Sequence, residues 1–383
     1  PIMISEYIKY AFLAATIFLG AKTEELPLPD PVMAPDSVAL TLIFAGDIMQ
    51  HGPQIEAARS DHDSTFNYHP CFSYVKPLVS SFDVAIANLE VTLAGAPYSG
   101  YPQFSAPDEL AVAARDAGFD ILATANNHSC DRGNKGLART LNVLDSLGIA
   151  RTGTFTDSTD LLKYHPLVLS KNDITFALFN YTYGTNGLPF YPPAIVNLID
   201  TNLIINDLAA VDRTKTDFVI VFFHWGNEYQ SQPSLTQVKL AGLCKRHGAD
   251  VIIGSHPHVL QRMEYDEPSD SLPGGFLLAY SLGNYVSNQR DRYRDGGAMI
   301  SFTLSKTWNK KTVINPEYHL TWVHTPIRDG KKQYYILPVR QFENDSTMDT
   351  AALKKLRLFI SDADELLGKG NRQVPEYRPV QSE

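Results

Sequence analysis

The chain has 383 residues, of which 44% are apolar and 20% charged, the composition of an ordinary soluble globular protein. A formal net charge of −9 argues against a broad nucleic-acid surface, so we expect no nucleic-acid partner. It does not exclude an anionic substrate, because metal ions can reverse the local field. The three cysteines lack the paired spacing of a thiolate zinc site, and their odd number argues against a disulfide scaffold.

The N-terminus carries a short apolar stretch at residues 10–21, preceded by Lys9. This stretch is too short for a comfortable membrane span but suits the apolar core of a signal peptide. An apolar helix docked on the protein is the alternative. The proline-rich residues that follow indicate a linker. We therefore expect residues 1–38 to precede the main domain, and the protein to be exported or membrane-associated at the cell envelope.

From residue 39 onward, apolar runs repeatedly end in polar residues. Runs of this length predict strands buried on both faces. The intervening segments 107–117, 134–147 and 234–248 predict helices, the last beginning with a capping box at Ser234. Alternating strands and helices predict an α/β fold, in which functional residues gather at the carboxyl ends of strands. The predicted strands cover residues 39–45, 84–87, 121–125, 218–223, 251–253 and 276–280.

Beyond about residue 300 the pattern changes to strands, several of them alternating, followed by an amphipathic helix and a polar tail. We expect a main domain at residues 39–305 and a C-terminal extension at residues 306–383. The tail from residue 368 is predicted to be mobile. The elements predicted in this part are strands at 301–304, 318–324 and 333–339 and a helix at 351–367.

The polar residues at the strand ends combine carboxylates, amides and imidazoles. This ligand set, without sulfur, suits Mn, Fe, Zn or Mg. A carboxylate that can bridge, with nitrogen and oxygen ligands on either side, suits two divalent ions. Each residue also has a structural alternative as a turn cap, a core histidine or a partner of loop backbone. The strand-end residues are Asp47, Glu90, Asn127, His128, His224, His256, His258 and Asn284.

Six of these strand-end motifs together resemble the CapA family of capsule-synthesis proteins, which is linked to poly-γ-glutamate. The resemblance covers roughly residues 39–300. It implies a layered fold similar to calcineurin-like metallophosphoesterases, with β-sheets flanked by helices and two divalent metal ions at the carboxyl ends of strands. The motifs, in chain order, are FAGD (44–47), ANLE (87–90), TANNH (124–128), FHWG (223–226), GSHPH (254–258) and SLGN (281–284).

The resemblance implies that Asp47 and His258 bind the first metal ion and that Glu90 bridges to the second. The wider phosphoesterase pattern begins Asp-x-His, whereas the third position here is Met49, so the first ion lacks one usual ligand. His51 is a possible substitute. The bridging residue is Glu rather than Asp, and its extra methylene group changes the spacing available between the ions.

For the second ion, the resemblance implies three further ligands: Asn127, His224 and His256. It places His128 over the site as a general acid or as a partner of a developing oxyanion. Asp131 follows closely in the chain and can orient the imidazole of His128. An equally good interpretation of Asp131 is an N-cap for the helix that follows.

Asn284 and three arginines that follow it lie near the last strand-end motif. Asn284 is interpreted as a structural residue that bonds loop backbone near the site. Arg290, Arg292 and Arg294 can grip substrate carboxylates or phosphates through paired hydrogen bonds. Because they alternate with aspartates, the favoured alternative is a solvated loop.

We therefore expect a metal-dependent hydrolase-type protein of capsule or poly-γ-glutamate synthesis or processing. In it, metal-bound hydroxide would attack a γ-glutamyl amide or a phosphoester. Two alternatives stay open: a non-catalytic accessory or binding protein of polymer synthesis and export, and a general metallophosphoesterase. The expected partners are an anionic polymer or phosphoester substrate and other capsule-synthesis membrane proteins.

Overall fold

Two β-sheets packed face to face form the centre of the structure, a computed structural model that describes residues 37–378 except residues 309 and 329. The first sheet has the strand order β18-β15-β14-β1-β2-β3-β4, and β13 pairs with β1 beyond the end of β14. Its strands are β1 (Val38–Ile48), β2 (Val84–Leu89), β3 (Ile121–Ala123), β4 (Ala150–Thr152), β13 (Asn284–Val286), β14 (Gly296–Lys306), β15 (Lys311–His324) and β18 (Tyr335–Pro338).

The second sheet has the strand order β11-β12-β10-β9-β7-β6. Two short pairs, β5 with β8 and β16 with β17, lie outside the two main sheets. The strands of the second sheet and of the short pairs are β6 (Leu167–Lys171), β7 (Ile174–Thr182), β9 (Phe218–His224), β10 (Val251–Ser255), β11 (Leu260–Asp266), β12 (Phe276–Leu282), β5 (Thr154–Phe155), β8 (Ile195–Val196), β16 (Ile327–Arg328) and β17 (Lys331–Lys332).

Helices cover the outer faces of both sheets. Side chains of α2 to α5 pack on the first sheet, and side chains of α7 and α8 pack on the second. The helices are α1 (Gly52–Ala58), α2 (His69–Phe72), α3 (Lys76–Val79), α4 (Glu109–Asp116), α5 (Gly133–Ser146), α6 (Ser158–Tyr164), α7 (Thr201–Ala209), α8 (Leu235–Arg246), α9 (Val339–Phe342) and α10 (Thr350–Gly370).

The continuous apolar runs follow from burial on both faces of each strand. On β1, Leu42 and Phe44 face the core between the sheets, whereas Ile43 and Ala45 face the helices. Phe44 meets Phe222 of the opposite sheet edge to face, with ring centroids 5.6 Å apart. The sheets are thus held together by an apolar layer that extends up to the polar strand ends.

Parallel pairing brings the carboxyl ends of the central strands to one level in each sheet. In the second sheet, Ser255 of β10 and Thr182 of β7 both pair with His224 of β9. In the first sheet, Asp47 of β1 pairs with Asn88 of β2. The two rows of strand ends therefore form one polar edge, as expected for an α/β fold.

The predicted α/β fold with flanking helices is confirmed. Each strand predicted before residue 300 corresponds to an observed strand, and the three predicted helices correspond to α4, α5 and α8. Ser234 caps α8 as expected, because its hydroxyl accepts from the amide of Gln237 at 3.3 Å. The hairpin of β6 and β7 was not predicted, although its Asn172-Asp173 turn has the left-handed backbone typical of tight hairpins.

The C-terminal extension continues the first sheet. The expected boundary at residue 305 falls inside β14, and β15 and β18 add two further strands to the same sheet. The expectation of a mobile tail from residue 368 is wrong as far as residue 377. The amide of Arg372 donates to Met263 O at 2.9 Å, and that of Tyr377 donates to Tyr318 O at 2.9 Å, so backbone hydrogen bonds fix this segment.

The predictions for the N-terminal apolar segment and the linker concern residues 1–36, which lie outside the described residues. Across the described part of the chain, every helix falls short of the length or the apolar character that a membrane crossing requires. Helix α10, with 21 residues, carries charged side chains along its length and packs one apolar face on the protein.

Candidate metal centre

All six residues implied as metal ligands meet at the polar edge between the two sheets. Each of them is buried, with an exposed fraction of 2% or less. The first sheet contributes three residues from β1 and from the loops after β2 and β3, and the second sheet contributes three from β9 and the loop after β10. These residues are Asp47, Glu90 and Asn127 from the first sheet and His224, His256 and His258 from the second.

The first group comprises Asp47, Glu90 and His258, whose ligand atoms all lie within 4.8 Å of one another. His258 Nδ1 is 3.2 Å from Asp47 Oδ2, and His258 Nε2 is 3.7 Å from Glu90 Oε1. The amide of Glu90 donates to Ile48 O at 3.0 Å, which fixes the glutamate beside the end of β1. This group matches the first ligand set implied by the sequence resemblance.

The second group comprises Glu90, His224 and His256, again with ligand atoms within 4.8 Å of one another. His224 Nε2 lies 3.5 Å from Glu90 Oε1 and 2.8 Å from Asn127 Oδ1. Asn127 therefore brings an amide oxygen to the same place as the imidazole. Glu90 belongs to both groups, which is the arrangement that a bridging carboxylate requires.

Buried amides orient these side chains. Asn88 Nδ2 donates to Asp47 Oδ1 at 2.8 Å and lies 3.2 Å from His224 Nδ1, so it links the two sheets. Asn284 Oδ1 is 3.1 Å from His258 Nδ1, and Asn284 Nδ2 donates to Arg294 O at 2.8 Å. Asn284 thus bonds loop backbone near the site, as expected, and also contacts a ligand directly. Such contacts fix the orientation of an imidazole ligand.

His128 follows Asn127 in the loop after β3, and Asp131 and Phe104 fix its side chain. Its Nδ1 is 2.7 Å from Asp131 Oδ2, and its ring meets Phe104 edge to face at 4.5 Å. Because a carboxylate accepts hydrogen bonds, the proton sits on Nδ1 and Nε2 is left free to exchange one. The alternative N-cap interpretation of Asp131 is not observed, since Arg132 occupies the N-cap position of α5, where its side chain makes no capping hydrogen bond.

The backbone around the paired histidines adopts unusual conformations. His256 has a φ of 96° and His258 a φ of 57°, in the left-handed region that residues with a side chain rarely occupy. Gly254 precedes them where no side chain fits, because a Cβ atom there would lie 2.1 Å from Tyr280 O. Backbone strain of this kind is typical of functional sites.

The two carboxyl groups of the site have opposite pKa shifts. Burial, together with the negative charge of Asp47, raises the pKa of Glu90 well above its usual value, and exposed Glu228 adds to this effect. Burial also acts to raise the pKa of Asp47, but the hydrogen bonds from His258 and Asn88 and the charge of His258 outweigh it. The pKa of Asp47 is therefore lowered overall.

The imidazoles of His224 and His256 are held neutral. Burial, and then the charge of His258, lowers the pKa of His256 to about 3. Burial, and then the charges of His256 and His258, lowers the pKa of His224 well below its usual value. Neutral imidazoles are the form that binds metal ions.

These residues fit a divalent cation. Both carboxylate oxygens of Glu90 and the Nδ1 atom of His256 are buried without a hydrogen-bond partner in the described part of the chain. A buried, unpaired carboxylate is costly, so a bound cation would remove the penalty. Oxygen and imidazole donors without sulfur suit Mn, Fe, Zn or Mg.

Met49 and His51 differ from the ligands in their surroundings. The side chain of Met49 is 2% exposed and belongs to the apolar cluster beneath the outer helices of the first sheet. His51 is absent from the three potential metal-binding groups found among residues 37–378. Its Nδ1 instead accepts from the amide of Asn288 at 3.4 Å. Burial lowers the pKa of His51 to about 4. The structure therefore does not bring this substitute ligand into a metal-binding group.

The three arginines are engaged by the protein itself. Arg290 donates to the backbone oxygens of Asp295 and Val323. Arg292 makes a paired contact with Asp362 at 2.8 and 2.6 Å. Arg294 contacts Asp291 and lies over the ring of Tyr229, 4.4 Å from its centroid. These contacts favour structural roles over a direct grip on substrate. Arg290 is half-buried, with its guanidinium 5.6 Å from the ring centroid of Trp322, whereas Asp291, Arg292 and Tyr293 are exposed, in keeping with a solvated loop at those positions.

Several neighbours of the site were not predicted. Glu228 forms a third group with His256 and His258, with ligand atoms within 4.8 Å. The ring of Tyr183 lies 4.5 Å from that of His256. Asn88 is part of the ANLE motif, and Glu228 follows His224 by four residues in the loop after β9. Neither sequence position predicts which side chains these residues contact.

A family model and two curated relatives that match this chain all describe proteins of capsule or PGA synthesis. Residues 41–289 match the model of the family described as bacterial capsule synthesis protein PGA_cap. The chain is 27% identical to PGA biosynthesis protein CapA of Bacillus subtilis, over 94% of this chain and 92% of that protein. It is 25% identical to capsule biosynthesis protein CapA of Bacillus anthracis, over 86% of this chain and 74% of that protein.

Among solved structures, the chain is similar to the calcineurin-like phosphoesterase YfkN of Bacillus subtilis, with a TM-score of 0.39 and 12% identity over 86% of this chain and 98% of that chain. The family match spans all of the strand-end motifs that carried the resemblance. It covers well over half of the chain. The chain therefore belongs to the bacterial capsule synthesis protein PGA_cap family.

Proposed function

We propose that this protein is a metal-dependent hydrolase of capsule synthesis or processing that acts at the cell envelope on an anionic polymer of the poly-γ-glutamate type. The observation that carries the proposal is the buried Glu90 carboxylate, which has no hydrogen-bond partner in residues 37–378 and is shared by two groups of potential ligands. The names of the two CapA relatives support the choice of polymer and of cellular location.

Six side chains would hold a pair of divalent ions in this site: Asp47, Glu90, Asn127, His224, His256 and His258. When bound, such ions lower the pKa of water and polarise the oxygen of an acyl or phosphoryl group. The amides of Asn88 and Asn284 keep the ligands oriented, which limits the reorganisation needed on binding.

His128 is the residue proposed to move a proton. Asp131 Oδ2 accepts from Nδ1 through the 2.7 Å contact and stabilises the doubly protonated ring, in which Nε2 also carries a proton and can deliver it to a leaving group. Phe104 shields the pair on one side, and its amide donates to Asp131 Oδ2 at 2.7 Å. Hydrolysis of a γ-glutamyl amide needs such a proton, because an amine anion is a very poor leaving group.

The proposal is tested with the purified full chain in the presence of Mn²⁺. Poly-γ-glutamate is followed by size and by newly formed amino termini, and phosphomonoesters and phosphodiesters are assayed in parallel. We expect polymer cleavage that falls more than ~100-fold in Glu90→Gln, since even residues that only support a ligand contribute about 10- to 100-fold.

Glu267→Gln is the matched control, because Glu267 is exposed and follows the far end of β11. It should retain full activity. Cleavage of phosphoesters alone would instead favour a general metallophosphoesterase. Polymer binding without turnover in the metal-loaded protein would favour an accessory role and contradict the proposal.

A further inference from the structure

The two groups of potential ligands are unequal. The second group has four donors from the chain, because Asn127 Oδ1 lies 2.8 Å from His224 Nε2 and joins Glu90 and His256. The first group has three, namely Asp47, Glu90 and His258. Divalent ions bound by imidazole and carboxylate ligands take four or more donors. The first group therefore leaves at least one coordination position for a further side chain or for water.

Glu228 is placed to fill such a position. Its carboxylate lies within 4.8 Å of a ring nitrogen of His258 and of a ring nitrogen of His256. The two histidines are 1% and 2% exposed, whereas Glu228 is exposed to solvent. Glu228 thus faces the histidines from the solvent side, while Glu90 contacts them from the interior. One of these neighbours, His256, has a buried Nδ1 without a partner among the described residues.

The loop that carries Glu228 is fixed against the paired histidines. On one side of it, the amide of Trp225 donates to Ser255 O at 3.1 Å. On the other side, the amide of Tyr229 donates to Pro257 O at 2.8 Å, and Tyr229 has a φ of 63°. Gln261, which is 0% exposed, donates to Gln230 O at 2.7 Å. The position of Glu228 is consequently built into the fold.

We propose that Glu228 is a further ligand of the metal centre and binds a divalent cation from the solvent side, next to His258. This inference rests on the proposed metal-dependent function. It assigns to Glu228 a ligand role that Met49 and His51 do not fill, since neither belongs to a ligand group among the described residues. The centre would then have a buried carboxylate, Glu90, on its inner side and an exposed carboxylate, Glu228, on its outer side.

The test is Mn²⁺ binding to the full chain, measured by calorimetry and by metal content after dialysis. We expect Glu228→Gln to weaken binding of one ion ~10-fold or more, with Glu267→Gln unchanged. Glu228→Asp keeps the charge but retracts the carboxylate by one methylene, and it should weaken binding similarly. Because Glu228 is exposed, these variants should fold, which their thermal unfolding checks.

Three results would overturn the inference. If Glu228→Gln binds Mn²⁺ as tightly as Glu267→Gln does, Glu228 is not a ligand. If Glu228→Asp binds Mn²⁺ normally while Glu228→Gln binds it weakly, the negative charge of Glu228 acts on the ion from a distance and the carboxylate is not a ligand. Wild-type protein that binds no Mn²⁺ overturns both this inference and the proposed function, whereas the first two results leave the proposed function intact.

Discussion

The two sheets contribute chemically different halves of the candidate centre. Oxygen donors come from the first sheet, through Asp47, Glu90 and Asn127, and nitrogen donors come from the second, through three histidines. Neither sheet holds a complete set, so the centre exists only where the two polar edges meet. The comparison shows that a binding site can depend on the packing of two layers more than on any one motif.

The two halves are also positioned by different means. In the first sheet, buried amides hold the loops: Asn126 Nδ2 donates to Leu89 O at 2.7 Å, and Asn126 Oδ1 accepts from the amide of His128 at 3.1 Å. In the second sheet, left-handed backbone at His256 and His258 turns the imidazoles inward. Amide networks tolerate small shifts of a loop, whereas a strained backbone persists only while its surroundings hold it.

The largest expected effect comes from breaking the apolar layer between the sheets. Phe44→Ala removes a ring that is 0% exposed and contacts Phe222 and Phe302. We expect a loss of about 3–5 kcal/mol in the free energy of unfolding, measured in urea. Leu162→Ala, at a side chain that is 85% exposed, is the control and should change little. A loss below ~1 kcal/mol for Phe44→Ala would mean that the layer does not hold the sheets together.

The next expected effect is on the pH dependence of stability, and it concerns a buried histidine outside the site. His319 of β15 is 5% exposed, its Nε2 lies 2.8 Å from Ser301 Oγ, and burial lowers its pKa to about 4 from 6.5. Below pH 6.5 the unfolded chain binds a proton that the folded chain refuses, so stability falls as the pH drops from 6.5 to 4. The contribution is about 3 kcal/mol.

Urea unfolding of wild type and His319→Gln at a series of pH values measures this effect. The variant should lose less stability than wild type between pH 6.5 and 4, whatever its stability at pH 7. Metal binding at pH 7 should be unchanged in His319→Gln, because His319 belongs to none of the ligand groups found among the described residues. Equal pH slopes would show that His319 is not responsible.

The smallest expected effect separates proton transfer from metal binding. Asp131→Asn leaves every proposed ligand in place but removes the carboxylate that holds the proton on His128 Nδ1. We expect polymer cleavage to fall ~10-fold with Mn²⁺ affinity unchanged, since a positioned acid contributes at least this much. The nitrogen chemical shifts of His128 should show the altered tautomer. A parallel loss of Mn²⁺ affinity would instead show that Asp131 supports metal binding.

The fold and the gathering of polar residues at the strand ends were predictable because one physical rule governs both, whereas the division into two ligand groups came from the family resemblance. A strand buried on both faces has a continuous apolar run, and the first polar residues after it lie at the edge of the sheet, as at Asp47 and His224. The position of Glu228 was not predictable in this way. It depends on the backbone bonds of a loop and on a packing distance to His258 that no local pattern records.

Other differences have similar causes. The polar sequence after α10 favours a mobile end, but it does not show that backbone groups of β11 and β15 are free to pair with it. The orientation of Asn88 between Asp47 and His224 arises from the approach of the two sheets, which is a long-range event. By contrast, β7 has the same apolar signal as the predicted strands, so its omission was avoidable.

The final described residues connect both layers. Arg372 bonds to the backbone of β11 in the second sheet, and residues 375–377 bond to Tyr318 of β15 in the first. Residues 372–377 thus link the two sheets along one edge through backbone hydrogen bonds. Cleavage of the backbone between Arg372 and Pro375 would remove this link between the layers and leave the strand pairing within each sheet intact.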